Sequence, residues 1–227
     1  MSAGLNNLFT ARRLRWFAAA IVLVNGFFPA VWIFFTSLKN EVELTAKPIT
    51  YFPHNPVLAN YIAAFRDQPL ASYLMNSAIV AIGSMILSLT ISAMAAYAIA
   101  RLNLKRRNLI LTAFIAVSMF PLVTLMVPLF EIMRGLNLLN SYIALILPYT
   151  VLNLPICTLV LVSFFQDIPR DIENAAMIDG CTRLGALWRV VVPLAAPGVF
   201  TAGILAFVNS WDEFLLSMSM NAAVAYR

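Results

Sequence analysis

The sequence predicts an all-α integral membrane protein with five transmembrane helices. Hydrophobic residues make up 62% of the chain and charged residues 11%, whereas a soluble domain carries roughly 25% charged residues. Uncharged runs occupy 16–38, 68–100, 108–130, 135–166 and 190–211. Each supplies the ~20 residues an apolar helix needs to cross the hydrocarbon core. Helices are the expected form of these spans, because lipid leaves no partner for open backbone groups.

Span one, 16–38, is too long for the apolar core of a cleaved signal peptide and has no clean small-residue cleavage site behind it. It reads as a retained helix. The segment 39–67 contains Pro48, Pro53 and Pro56, so an extended or turned, solvated loop is expected there. His54, the single histidine, reads as a surface residue of that loop. Span two carries Ser84, Ser88, Ser92, Ala96 and Ala100 at a four-residue interval. Small residues at that spacing form a ridge against which another helix packs closely. A basic cluster, Arg101 with Lys105, Arg106 and Arg107, reads first as an anchor of its end at the headgroups and second as a contact for the acidic surface of a partner.

Spans three and four contain Pro121, Pro128, Pro148 and Pro155. Each proline removes a helical hydrogen bond, so bends are expected. Asn153 stands beside Pro155 in an apolar surrounding and reads first as a bond between helices, second as a polar group on a solute path. Span five ends at Asn209, Ser210, Trp211, Asp212 and Glu213. An interfacial helix end is the first reading. Asn209 and Trp211 are the candidates for solute contact, and the adjacent carboxylates would be the coupling groups of a self-contained ion-coupled carrier or channel.

Basic residues orient the chain. With the N-terminus inside, ten lie in cytoplasmic segments (Arg12, Arg13, Arg15, Arg101, Lys105, Arg106, Arg107, Arg170, Arg183, Arg189) and five outside (Lys39, Lys47, Arg66, Arg134, Arg227). The excess lies close to span ends, where it governs orientation. This asymmetry accounts for the net charge of +5, and no basic face with stacking aromatics points to nucleic acid. Cys157 and Cys181 suggest neither a disulfide nor, with one histidine, a metal site. Gly180 with Gly185, and Gly198 with Gly203, have the interval of a phosphate loop, but Ala186 and Ile204 follow where a Lys-Ser/Thr pair is needed. The chain therefore has no recognisable means of hydrolysing ATP itself.

The stretch Pro169–Pro193 is the polar exception. It holds Arg170, Asp171, Glu173, Asp179, Arg183 and Arg189 between two apolar spans, with helix-forming Ala175, Ala176, Met177 and Ile178 followed by Gly180. A mere connection could be far shorter, so a docking element on the membrane surface is expected. Its pattern is Ala175-Ala176, three residues, Gly180, nine residues, then Val190-x-Val192-Pro193. This resembles the signature cytoplasmic loop of ABC importer permeases. The resemblance extends to Thr36-Ser37-Leu38-Lys39, Asn60-Tyr61, Ala95-Ala96-Tyr97-Ala98-Ile99-Ala100-Arg101 and Trp211-Asp212-Glu213-Phe214. It is strongest over 70–215 and is of the carbohydrate type, like the second permease of maltose-type transporters.

The resemblance implies residues 1–68 as an N-terminal span and outer loop, and residues 69–227 as the importer transmembrane domain. It implies a second permease subunit, two cytoplasmic ATPase subunits that hold ATP and Mg, and an external solute-binding protein, all at the bacterial inner membrane. The present chain would bind no cofactor. Glu173, Asn174, Ala175, Ala176, Asp179, Gly180, Arg183 and Pro193 would form the coupling loop on one ATPase. Asn174 stands where the family has Glu. Glu173 lies one residue earlier, a rotation of about 100° on a helix, and does not simply replace it. Family members have six spans against the five read here. A bundle lacking its last span is expected to insert, and to transport poorly until another polypeptide supplies the missing helix.

The orientation is checked by single-cysteine labelling in intact cells. With Cys157 and Cys181 replaced, Leu104→Cys is expected to resist an impermeant thiol reagent applied outside. Modification from outside would reverse the topology.

Overall fold

The computed structural model describes residues 2–102 and 104–220, with side chains described from Arg15 onward except those of Ala18 and Asn103. Arg12, Arg13 and Arg227 lie outside the described side chains. Every regular element among the described residues is helical, as the composition predicts. The chain divides into two compact units, residues 1–71 and residues 72–227.

The first unit holds α1 (Ser2–Ser37), α2 (Glu41–Thr45) and α3 (Ala59–Arg66). The apolar part of α1, Arg15–Ser37, is long enough to cross a membrane and exposes its apolar side chains all round. The segment after it is more helical than its prolines suggest. Asn40 caps α2 by accepting the Glu43 N–H at 2.8 Å, and α3 forms just beyond the last proline. Asn60 holds the start of α3 to the end of α1, donating to the carbonyls of Ser37 and Lys39 at 2.9 and 2.8 Å. The side chain of Lys39 is buried, placed over the Trp32 ring and bonded to the Thr50 carbonyl. His54 is exposed, and its backbone N–H and Nδ1 both meet Glu43 Oε1 at 2.8 Å. The backbone bond is the main cause that holds the Glu43 carboxyl below the usual range.

The second unit is a helix bundle. α4 (Leu70–Arg101) and α7 (Ile143–Asp167) are continuous spans. α7 stays helical through both Pro148 and Pro155. Span three does break. α5 (Arg107–Ser118) and α6 (Leu122–Gly135) meet at 91°, where Pro121 lacks the N–H that would continue the ladder and caps α6 in an extended conformation. Span four begins later than the uncharged run suggests. Asn137 and Asn140 adopt positive φ, which Asn tolerates better than most residues, and they turn the chain between α6 and α7.

After α7 come the short α8 (Arg170–Ile178) and α9 (Arg183–Ala186). A π-helical stretch, Leu187–Val191, follows, in which the Val192 N–H reaches the Leu187 carbonyl five residues back. One further turn, α10 (Val192–Leu194), meets α11 (Ala196–Trp211) at 85°. Pro193 and Pro197 flank this bend, and each withholds one backbone donor. α12 (Leu215–Met220) closes the described chain. Spans three and five are thus bent pairs, beside three unbroken helices that pass as spans; the bend in span three agrees with its prolines, and that in span five was not expected.

The core lies where α4, α7 and α11 meet, and α11 packs on α7 more extensively than on any other element. Ser84, Ser88, Ser92, Ala96 and Ala100 are all buried, as their spacing predicts. Ser88 Oγ faces the Thr150 carbonyl at 3.3 Å and Ser92 Oγ the Leu154 carbonyl at 3.4 Å. Two four-residue intervals, one on each helix, are therefore in register. Gly198 sits against Phe164 of α7 so closely that an added Cβ would fall 2.3 Å from the Phe164 ring.

Gly198→Ala is expected to destabilise the bundle by about 1–3 kcal/mol, the usual cost of overpacking. Gly26→Ala, which meets open space, serves as the control. The check is the unfolding midpoint in detergent micelles. A midpoint for Gly198→Ala equal to that of the control would refute the close approach of α7 and α11.

Candidate functional site

α8 is built to sit on the bundle while presenting an outer face. Asp171 and Glu173 occupy its first turn, where the helix dipole favours negative charge. Its end has both hydrogen bonds of a Schellman motif. The Gly180 N–H donates to the Met177 carbonyl at 3.1 Å and the Cys181 N–H to the Ala176 carbonyl at 3.0 Å. The motif needs a left-handed residue, and Gly180 has φ +92°. A Cβ there would meet no atom within 4 Å, so glycine is required for conformation and not for room. Thr182 then caps α9, its Oγ1 accepting the Gly185 N–H at 3.1 Å.

The two carboxyl-side neighbours in α8 point apart. Asn174 is exposed, while Glu173 is buried. The Glu173 carboxylate forms an ion pair with Arg101, Nε to Oε2 at 3.0 Å, with 6% and 8% of the two side chains exposed. The Tyr97 hydroxyl donates to its other oxygen, and Arg101 Nη2 donates to the Ile168 carbonyl at 2.9 Å. Glu173 thus faces inward to the end of α4 and leaves the outward position to Asn174. Ala175, Asp179, Gly180, Arg183 and Pro193 are exposed and Ala176 is partly buried, so the structure gathers most of the expected loop residues on an accessible surface.

Sequence reading missed three members of this site. Arg101 reads as a headgroup anchor but is turned inward to Glu173. Its place at the end of an apolar span concealed a partner 72 residues away. Ile178 is 85% exposed and Leu184 60% exposed. Both are large apolar side chains in an otherwise polar loop, and that contrast was the available signal.

A second polar cluster lies between α4, α7 and α11. Ser84 Oγ donates to Ser210 Oγ at 2.9 Å, and Asn153 Nδ2 donates to Ser210 Oγ at 3.0 Å. Asn209 Nδ2 donates to Asn153 Oδ1 at 3.3 Å. Asn153 is buried, and its partners lie on α11, which is the arrangement of an interhelical bond. Asn209 is brought to it, while Trp211 stands apart, stacked on Phe207 at 5.5 Å. Trp211, Ser210 and Glu213 line a cavity of about 400 Å³ at the end of the bundle remote from α8. Glu213 is held there by the Tyr149 hydroxyl at 2.6 Å and by the Leu216 N–H at 3.0 Å.

Residues 88–222 match the family model described as the binding-protein-dependent transport system inner membrane component. The chain belongs to this family. It is a multi-pass membrane protein and a permease. The sulfoquinovosyl glycerol transport system permease protein SmoH of Agrobacterium fabrum is 70% identical to it over 226 residues, which cover 100% of this chain and 79% of that protein. The trehalose transport system permease protein SugB of Mycobacterium tuberculosis is 39% identical, over 95% of this chain and 78% of that protein. The fold matches a crystal structure of a bacterial ABC transporter involved in the import of the acidic polysaccharide alginate. The TM-score is 0.77 at 22% identity, over 92% of this chain and 74% of that chain.

Removing one partner of a buried pair leaves the other charge uncompensated, at a cost of about 3–5 kcal/mol. Arg101→Met and Glu173→Gln are each expected to lower the unfolding midpoint in detergent strongly. The double substitution should recover much of the loss, giving a large coupling in a double-mutant cycle. Additive losses would deny the pair.

Proposed function

We propose that this chain is the transmembrane subunit of an ATP-driven, binding-protein-dependent sugar importer that works by alternating access. The observation that carries the reading is the docking loop. α8 is locked to the membrane bundle by Glu173, while Ala175, Ile178 and Asp179 at its exposed positions and Leu184 of α9 are open to a partner. A carrier or channel working alone has no use for such a surface. The carboxylates that would serve an ion-coupled carrier are also otherwise engaged in part, since Glu213 caps α12 and binds Tyr149.

In this reading the N-terminus and α8 face the cytoplasm of a bacterial cell, and α8 seats in a cleft of an ATPase subunit. ATP and Mg belong to that subunit. A second permease completes the pathway and an external binding protein delivers the solute. Closure of the ATPase pair on ATP pulls the docking helices together. The permease responds because one of its two states binds the closed ATPases better, the condition for any ligand-driven shift between conformations. The sugar class rests on the relatives that carry sugar names, SmoH and SugB.

Gly180→Trp puts a bulky side chain, and a strained backbone, at the rim of the docking surface. It is expected to lower solute-stimulated ATP hydrolysis in the assembled complex while leaving membrane insertion intact. Unchanged stimulation in complexes of normal composition would overturn the coupling role. Co-purification of an ATPase with the chain from its native membrane tests the assembly itself.

A further inference from the structure

The cavity at the far end of the bundle has a chemistry of its own. It is formed by the start of α4, the turn before α7, the end of α11 and the segment leading through Glu213 into α12. Its volume, about 400 Å³, lies toward the lower end of the roughly 300–1,000 Å³ of small-molecule sites. We propose that it is a solute subsite that receives the neutral, polyhydroxylated part of the carried sugar and excludes anionic groups. The proposal rests on the importer reading above and deepens it.

The lining supplies the two things a sugar ring needs. Tyr73, Tyr142 and Trp211 offer flat apolar faces for its C–H surface, and Asn76, Ser77 and Glu213 offer bonding groups for its hydroxyls. Several of these groups are fixed in advance. Trp211 is stacked on Phe207. The Tyr142 hydroxyl donates to Asn76 Oδ1 at 2.7 Å, which leaves the Asn76 amide nitrogen as a donor. Glu213 is held from two sides, by Tyr149 and by Leu216. Such fixing removes much of the ordering cost of binding.

The exclusion follows from charge. Glu213 is the one ionisable acid or base in the lining apart from tyrosine; no Lys, Arg or His stands among the lining residues. A carboxylate accepts from sugar hydroxyls and repels a sulfonate or phosphate, and among the described lining residues no cation offsets that repulsion. An anionic sugar would therefore seat its hydroxyl-bearing part in this cavity and its charged group elsewhere. Ser210 links the cavity to the buried Ser84, Asn153 and Asn209 cluster, so the subsite opens onto the polar seam of the bundle.

The test uses the full chain in lipid nanodiscs, titrated with trehalose and with trehalose 6-phosphate while Trp fluorescence is read. Trehalose is expected to give a saturable change that Trp211→Phe abolishes. The phosphate should bind at least 10-fold more weakly. Ser77→Phe, at an exposed wall position, should raise the trehalose Kd at least 10-fold, and Glu213→Gln should bring the two probes within about threefold of each other. Ile82→Phe, which is exposed on α4 outside the cavity, should leave the Kd unchanged. Equal or tighter binding of the phosphate by the unaltered chain overturns the proposal, as does the absence of a Trp211-dependent change with trehalose. ATPase capture is scored on the same preparations. Capture with a silent Trp211 removes the subsite and leaves the importer reading standing. A Trp211 response without capture leaves a sugar-binding cavity but removes the importer reading, and with it the cavity's role toward a carried solute.

Discussion

The whole arrangement depends on how closely the backbones of α4, α7 and α11 approach. Lipid tails are as apolar as leucine, so burying leucine against leucine drives little association in a membrane. What remains is dispersion at short range and hydrogen bonding between helices. The chain meets both needs with small residues. Gly198 admits the Phe164 ring where no Cβ fits. Ser88 and Ser92 lie on α4 within reach of carbonyls on α7, and the Ser84, Asn153 and Ser210 bonds join all three helices. Each such bond contributes only about 0.6 kcal/mol on average, but they share one seam and one register. The cavity and α8 lie at the two ends of that seam.

The Arg101–Glu173 pair makes α8 part of the bundle. A nine-residue helix on a membrane surface is too short to be stable alone. Its capped end and its buried glutamate tie it to α4, while α9 and the π-helical stretch carry it into α11. A buried ion pair is weak evidence for stability, because its desolvation offsets most of the attraction. Its geometric effect is clearer. With both partners more than nine-tenths buried, α8 has one way to sit on α4, and a displacement of α8 has a direct path to a membrane-spanning helix.

Much of this was legible before any coordinates. The serine and alanine interval of α4 marked a packing ridge, and Asn153 read first as interhelical. Gly180 marked the end of α8, because a left-handed residue after a short helix is a local requirement. The bends of spans three and five were less legible. Four prolines sit in spans three and four, yet only Pro121 breaks its helix, while Pro128, Pro148 and Pro155 are absorbed. Proline withholds a donor in every case, and whether the helix breaks depends on which neighbours accept the strain. The outer loop hid α2 and α3 for a similar reason, since its prolines lie outside both helices.

Composition and run length by themselves determined the solvent of this protein, and with it the helical class. No other backbone form satisfies its hydrogen bonds in lipid without closing a sheet. Local spacing determined the short helix after α7 and the glycine that ends it. Only the tertiary structure decided which way each polar side chain turns. Arg101 and Arg107 both belong to one basic cluster in the sequence, and only Arg101 is paired with Glu173. Glu173 and Asn174 are neighbours, and one is buried while the other faces out. Those choices are set by partners 72 residues away along the chain, and nothing in a local window holds that distance.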